Sequence, residues 1–141
     1  MQQTIGNHPD LIKKAHYIRR EVFVIEQGIP QELDLDGLDQ TSDHILVTEG
    51  NNLIGTARLY YKRPDHAIMA RIAVLQTYRG LGVATKMVKA LLDHAKQRNI
   101  KTLEIHAHQY LRSYYEKFGF KFIEEVETVG EHQLIEMRYE T

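Results

Sequence analysis

Cysteine is absent from the 141 residues, which excludes disulfides, Cys-ligated zinc and thiol nucleophiles and fits a reducing compartment. Proline is scarce too: Pro9, Pro30 and Pro64 fall where turns are expected, and no linker, repeat or low-complexity tract divides the chain. Neither sign of charge prevails, because 18 Lys and Arg stand against 19 Asp and Glu, a net charge of −1. That balance offers no global field for nucleic acid or an anionic membrane surface. No apolar run approaches the ~18 residues that a membrane span requires, and Met1-Gln-Gln-Thr-Ile-Gly lacks the basic and apolar regions of a signal peptide. The expectation is one domain over residues 1–141, soluble and cytoplasmic, that buries roughly two thirds of the surface its unfolded chain exposes.

What is present is patterned. After a short strand near Gln3 to Ile5, the residues Leu11, Ala15, Ile18, Val22 and Ile25 recur at helical spacing, and Gly28-Ile29-Pro30 ends that helix. The acidic segment Gln31 to Asp43, with Asp34, Asp36 and Asp39 around Gly37, reads as a solvated loop on charge patterning. Ile45 to Glu49 and Leu53 to Tyr61, joined by Gly50-Asn51-Asn52, read as a hairpin, and Ile68 to Val74 adds a third antiparallel strand. From Gly82 to Arg98, Val83, Met87, Leu91 and Ala95 form one apolar stripe, and Asn99 can close the helix in the left-handed conformation. Thr102 to Ala107 reads as a strand, Tyr110 to Lys117 as a short helix, and Phe120 to Glu127 with Gln133 to Tyr139 as a final strand pair. Strand, helix and strand between Ile68 and Ala107 predict a parallel crossover, so the fold class is α/β with a mixed, mostly antiparallel sheet.

Two stretches carry chemistry. Arg79-Gly80-Leu81-Gly82-Val83-Ala84 follows the apolar Ile72-Ala73-Val74-Leu75 and opens a helix. Its glycines let the backbone approach a ligand, and the unpaired N–H groups of the new helix make an anion site, most simply for a pyrophosphate. A dinucleotide-binding fingerprint would need Gly or Ala where Thr85 stands, although Glu104 lies near the ribose-binding distance. A phosphate-binding P-loop would need Gly-Lys-Ser/Thr, and Thr85-Lys86 has the reverse order. In the second stretch, Tyr114-Tyr115-Glu116-Lys117-Phe118-Gly119-Phe120, a tyrosine sits about one turn from a helix-ending Gly-Phe.

The pattern Arg-x-x-Gly-x-Ala at Arg79, Gly82 and Ala84 resembles the acyl-coenzyme A loop of the GNAT N-acetyltransferases, and the Tyr-Tyr-Glu-Lys-Phe-Gly-Phe segment resembles a second signature of that family. Arg20-Glu-Val-Phe-Val-Ile-Glu-Gln27, Asp36-Gly37, Ala57-Arg58-Leu59 and Ala107-His108 are similar to its ElaA-like branch. The resemblance spans nearly the whole chain and implies a GNAT fold and acetyl transfer from acetyl-coenzyme A to a primary amine, without a covalent enzyme intermediate. It implies that backbone groups of Ile72, Ala73 and Val74 pair with the pantetheine arm. Amides of Arg79, Gly80, Leu81, Gly82, Val83, Ala84 and Thr85 would hold the pyrophosphate, and Tyr115 would protonate the departing thiolate. The chain departs from the pattern in two places: His108 stands where many members have an asparagine, and Ile68 to Val74 holds no carboxylate base.

His106 and His108 share one face of a strand with Glu104, and either can supply the missing base. His-x-His is also a metal-ligand spacing, with His44, His66 or His132 as third ligands, but no defined third position accompanies it and no metal is expected. Arg71 and Glu104 read as a structural ion pair between neighbouring strands. Glu26, Gln27, Asp36 and His44 lie in the region that shapes the acceptor pocket in the family, where acidic groups suit a cationic amine. The partner expected is a small-molecule or peptide amine, with neither nucleic acid nor membrane, and a homodimer stays open. The rival reading is a non-catalytic acyl-coenzyme A sensor; a nucleotide-binding regulator is weakened by the missing third glycine.

Overall fold

The computed structural model describes residues 1–141. Strand β1 (Gln2–Gly6) is followed by helix α1 (Pro9–Arg19), which continues as a wider π-helical segment over Arg20–Glu26. The helical residues expected between Asp10 and Ile25 are therefore one rod with a change of winding. Gly28 ends it at φ 72°, a conformation open to glycine at no steric cost. Short helix α2 (Gln31–Asp34) and a 3-10 turn (Asp39–Thr41) lead into β2 (Ser42–Glu49), β3 (Asn52–Arg63) and β4 (His66–Val74). Helix α3 (Val83–Gln97), β5 (Thr102–His108), α4 (Arg112–Glu116), β6 (Lys121–Val129) and β7 (His132–Glu140) complete the chain.

One seven-stranded sheet runs in the order β1-β2-β3-β4-β5-β7-β6. Every neighbouring pair is antiparallel except β4 and β5, the crossover that α3 makes parallel. The α3 stripe packs Val83, Met87, Val88, Leu91 and Ala95 against Ile45, Ala57, Leu59, Met69, Leu103 and Ile105, forming the main core. On the other face, Leu11, Ile18 and Val22 of the first helix cover Leu46 and Ala73. The start of α3 sits so near the sheet that a Cβ at Gly55 would meet Val83, Met87 and the Ala73 carbonyl at 3.2 Å each.

Two features of β4 create an opening. An extra residue bulges the strand where its pairing to β3 shifts between Thr56 and Arg58, and Arg71 there adopts φ 57°. The bulge reverses which residues face α3: Ala67 and Met69 belong to the main core, whereas Ala73 belongs to the opposite one. Pairing with β5 covers only His66↔Thr102, Ala67↔Leu103 and Ile68↔Glu104. Beyond Ile68 the strands part, so the remainder of β4 has a free edge.

The acidic segment is not a solvated loop. Asp34 and Asp39 are buried, and the fully buried Arg19 donates from Nε to both Asp34 oxygens at 3.1 and 3.0 Å and from Nη1 to Asp39 at 2.8 Å. Arg58 forks onto Asp36 at 2.8 and 2.9 Å and reaches Asp39 at 3.1 Å. Arg71 joins Asp34 at 3.0 Å and Asp36 at 3.1 Å. The expected Arg71–Glu104 pair does not form, because the bulge turns Arg71 towards α2 while Glu104 is engaged by His66 and His106. Buried charges persist when paired, and here three carboxylates meet three guanidiniums.

Candidate active site

A cleft of about 400 Å³ opens where β4 and β5 part. Ile72 and Val74 of β4 form one wall, Arg79, Gly80, Gly82, Val83, Ala84 and Thr85 the loop and helix start, and Leu111, Tyr114 and Tyr115 the far side. Of the residues expected to hold the coenzyme, Ala73 turns its side chain to the opposite core and Leu81 is largely exposed. Neither lines the cleft. Tyr78, from the turn that follows β4, and Leu111 and Tyr114, from the segment that leads into α4 and from α4 itself, also line the cleft; no spacing rule singles them out, since they meet only in the folded chain.

Gly80 and Gly82 hold φ 80° and 76°, which aims the chain into the first turn of α3. No side chain caps that helix, so the amides of its first turn are free to bind a ligand. The 15 residues of α3 add a dipole that favours an anion at the same point. The edge of β4 beyond Ile68, which pairs with no strand, supplies backbone donors and acceptors alongside, with the Val74 carbonyl taken by Arg79 Nε. A pyrophosphate carrying an extended amide arm fits this combination of loop and edge.

Arg79 does not reach into the cleft as a free cation. Its Nη1 and Nη2 fork onto the two Glu26 oxygens at 2.6 and 2.7 Å, and Nε donates to the Val74 carbonyl at 3.0 Å. The hydrogen bond and the charge of Arg79 hold the Glu26 carboxyl below its ordinary range. Glu26 is thus tied to the glycine loop, apart from the Asp36 and His44 expected around the acceptor. Asp36 belongs to the arginine network, and His44 is buried with Nε2 at 2.9 Å from the Asp39 carbonyl oxygen. Burial drives the His44 imidazole below its usual range, although Asp39 opposes the shift. Gln27 is exposed at the C-terminal cap of the π-helical segment.

Tyr115 is 7 % exposed. Burial, with Tyr114 beside it, pushes its phenol up to about 12, so it keeps its proton through the neutral range. Tyr114 is differently placed, its hydroxyl sharing a hydrogen bond of 2.8 Å with Thr85 Oγ1. The two rings meet edge to face at 5.1 Å.

Across the opening, Leu103, Ile105 and Ala107 of β5 face the main core, which places Glu104, His106 and His108 on the opposite face. The expected sharing of one face is borne out. Glu104 is buried, and its carboxylate accepts from His66 Nε2 at 2.9 Å and His106 Nε2 at 2.7 Å. Burial raises the Glu104 carboxyl, but the hydrogen bonds of the two histidines and the charges of His106 and Lys62 outweigh it, leaving it below its ordinary range. Glu104, His106 and Glu136 bring donor atoms within 4.8 Å of one another, and the cation that meets this group is Arg138, 2.9 Å from Glu136. His108 stands apart, stacked on Tyr110 at 5.2 Å with its edge contact to His132 at 4.9 Å. Its buried Nδ1 has no partner, and burial and the His132 charge lower its basicity.

Residues 12–120 match the profile of the Acetyltransferase (GNAT) family. The chain is 32% identical over 127 residues to the uncharacterized N-acetyltransferase YjcF of Bacillus subtilis, covering 90% of each sequence. Its fold superposes on the crystal structure of Escherichia coli ElaA with a TM-score of 0.88 at 26% identity, covering 99% of this chain and 100% of that one. An acyl-CoA N-acyltransferase from Pseudomonas aeruginosa superposes with a TM-score of 0.87 at 25% identity, covering 99% of both chains.

Proposed function

The chain belongs to the GNAT acetyltransferase family and is an acyltransferase, and from this premise we propose that it moves acetyl from acetyl-coenzyme A to a primary amine by direct attack within a ternary complex. The observation that carries the reading is the meeting of three parts in one cleft: the free edge of β4, the uncapped start of α3 behind Gly80 and Gly82, and the protonated phenol of Tyr115. The pyrophosphate rests on the amides from Arg79 to Thr85, and the pantetheine arm runs along Ile72 to Val74 as an added strand. The thioester then lies where β4 and β5 part.

The amine enters from the opposite face, beside His106. An alkyl ammonium is almost wholly protonated near pH 7 and must lose a proton before its lone pair can attack. His106 takes that proton. The amine nitrogen bonds to the acetyl carbon and gives up its second proton to solvent, the carbon–sulfur bond breaks, and the departing sulfur receives the Tyr115 proton, leaving an amide and free coenzyme thiol; His106 then returns its proton to solvent. Tyr115 is reprotonated from solvent as the products leave. His106 is preferred to His108 because it is 39% exposed on its side chain and borders two carboxylates, whereas His108 is enclosed by Tyr110 and His132. Glu136, 3.8 Å from His106 Nε2, suits a cationic acceptor at this mouth.

The experiment is thioester consumption against a panel of primary amines, peptides and lysine-containing proteins, with mass spectrometry of the products. An N-acetyl product is expected for at least one cationic amine. Tight coenzyme binding without acetyl transfer to any member would favour the sensor reading.

A further inference from the structure

We infer that Glu104, held from behind by His66, which Thr102 holds in turn, is a positioning residue that fixes the tautomer and direction of the His106 ring. This deepens the proposed function and rests on the reading of His106 as the base. Neither Glu104 nor His66 touches the cleft, both are buried, and the acetyl-transfer scheme uses neither. A buried carboxylate is retained at a cost unless its oxygens are satisfied. Here each oxygen accepts from a different imidazole, Oε1 from His66 at 2.9 Å and Oε2 from His106 at 2.7 Å.

The chemistry of the donors sets the tautomers. An ionised carboxylate only accepts, so both histidines present Nε2–H to it. His66 is then an acceptor at Nδ1, where the Thr102 hydroxyl donates at 2.5 Å. His106 is likewise left with a lone pair at Nδ1, pointing away from the carboxylate. Of its two nitrogens, that is the one free to take a proton from an incoming ammonium. When it does, the new imidazolium already has its counter-charge in place, and no side chain needs to move.

The register explains how the chain builds this. His66 and Thr102 are paired across β4 and β5, and Glu104 is opposite Ile68 on the last paired rung. Glu104 is therefore rooted in the closed part of the sheet, while His106 lies two residues further on, beyond that rung. The other charged groups around this pair come from three strands: Glu136 on β7, 3.8 Å from His106 Nε2, and, beside Glu104, Arg138 on β7, His66 on β4 and Lys62 on β3. Arg138 is held by Glu136 at 2.9 Å and is 3.9 Å from Glu104, so Glu104 keeps the closer hold on His106.

The test combines nitrogen NMR of the full-length protein with steady-state kinetics at neutral pH. Wild type is expected to show His106 in the Nε2–H form, its signal assigned by its loss in His106→Gln. Glu104→Gln replaces one acceptor oxygen by an NH₂ donor that opposes one of the two Nε2–H groups. It is expected to move His106 from the pure Nε2–H form and to lower kcat by roughly a hundredfold, with KM for the coenzyme within about twofold. His66→Leu acts from behind without touching His106 and is expected to give a smaller loss of the same kind, with His66→Gln, which keeps a donor to Glu104, restoring most of it. These two variants keep the test informative if Glu104→Gln does not fold. A folded Glu104→Gln protein with the Nε2–H form and kcat of wild type, beside an inactive His106→Gln, would overturn the positioning role and leave the base reading intact. Full activity in His106→Gln would overturn both.

Discussion

The Arg79 guanidinium closes on the Glu26 carboxylate through two contacts of 2.6 and 2.7 Å, joining the end of the first helical rod to the loop that precedes α3. The pair lies at the surface, where such forks contribute little to stability. Its position beside the proposed pyrophosphate site gives it another consequence: a carboxylate stands close to where two phosphates would bind.

Glu26→Gln removes that negative charge and releases the arginine. Coenzyme A affinity, measured by calorimetry, is expected to rise by about two- to fivefold at low salt and to return towards wild type as salt screens the site. Weaker binding at low salt would mean that the fork serves instead to hold the loop in shape.

Gly82→Val places a β-branched side chain at φ 76°, a conformation it adopts only under strain. A folded variant, checked by circular dichroism, is expected to lose measurable coenzyme binding. Unchanged affinity would remove the loop from the site.

Tyr115→Phe deletes the buried hydroxyl and is expected to lower kcat by about ten- to a thousandfold with coenzyme affinity nearly intact. Tyr114→Phe loses only the hydrogen bond to Thr85 Oγ1 and is expected to cost less. Reversed effects would exchange the roles of the two tyrosines.

The charge network sets the acid limit of the fold. Asp36 and Asp39 are desolvated, which raises their carboxyls, yet the arginine bonds prevail and hold both below the ordinary range. Groups depressed on folding stabilise above the unfolded value, near ~4, and that contribution is lost as pH falls towards their folded values. His44 adds to the slope earlier: burial lowers its basicity, so the unfolded chain binds its proton first as pH falls through about 6.5. Thermal unfolding is expected to show a gentle fall in Tm below about pH 6.5 and a steep one below about pH 4. Arg19→Met, which removes the buried guanidinium shared by Asp34 and Asp39 and leaves them only Arg71 and Arg58 with His16, is expected to cost about 3–5 kcal/mol. A flat Tm between pH 7 and 3 would contradict this account.

Much of the fold is legible in the sequence. The Val83, Met87, Leu91 stripe, the hairpin around Gly50 and the crossover into β5 all follow from local periodicity and turn chemistry, and the structure has them. The glycine loop and Tyr115 stand out in the sequence because their chemistry is local, and the structure brings both to the lining of one cleft. The acidic segment is not legible: Asp34, Asp36 and Asp39 read as solvated because their partners Arg58 and Arg71 come from strands 19 to 37 residues away in sequence. The Arg71 bulge and the His66–Glu104 contact were hidden for the same reason. Strand register decides both, and composition carries no record of register.

The proton acceptor is the most exposed part of the account, and a pH–rate profile of kcat at saturating coenzyme, for wild type, His106→Gln and His108→Asn, tests it most directly. An acidic limb in the histidine range is expected for wild type and His108→Asn. In His106→Gln that limb is expected to vanish with most of the rate. A limb that persists unchanged in His106→Gln would contradict the account and move the base to a water chain or another side chain.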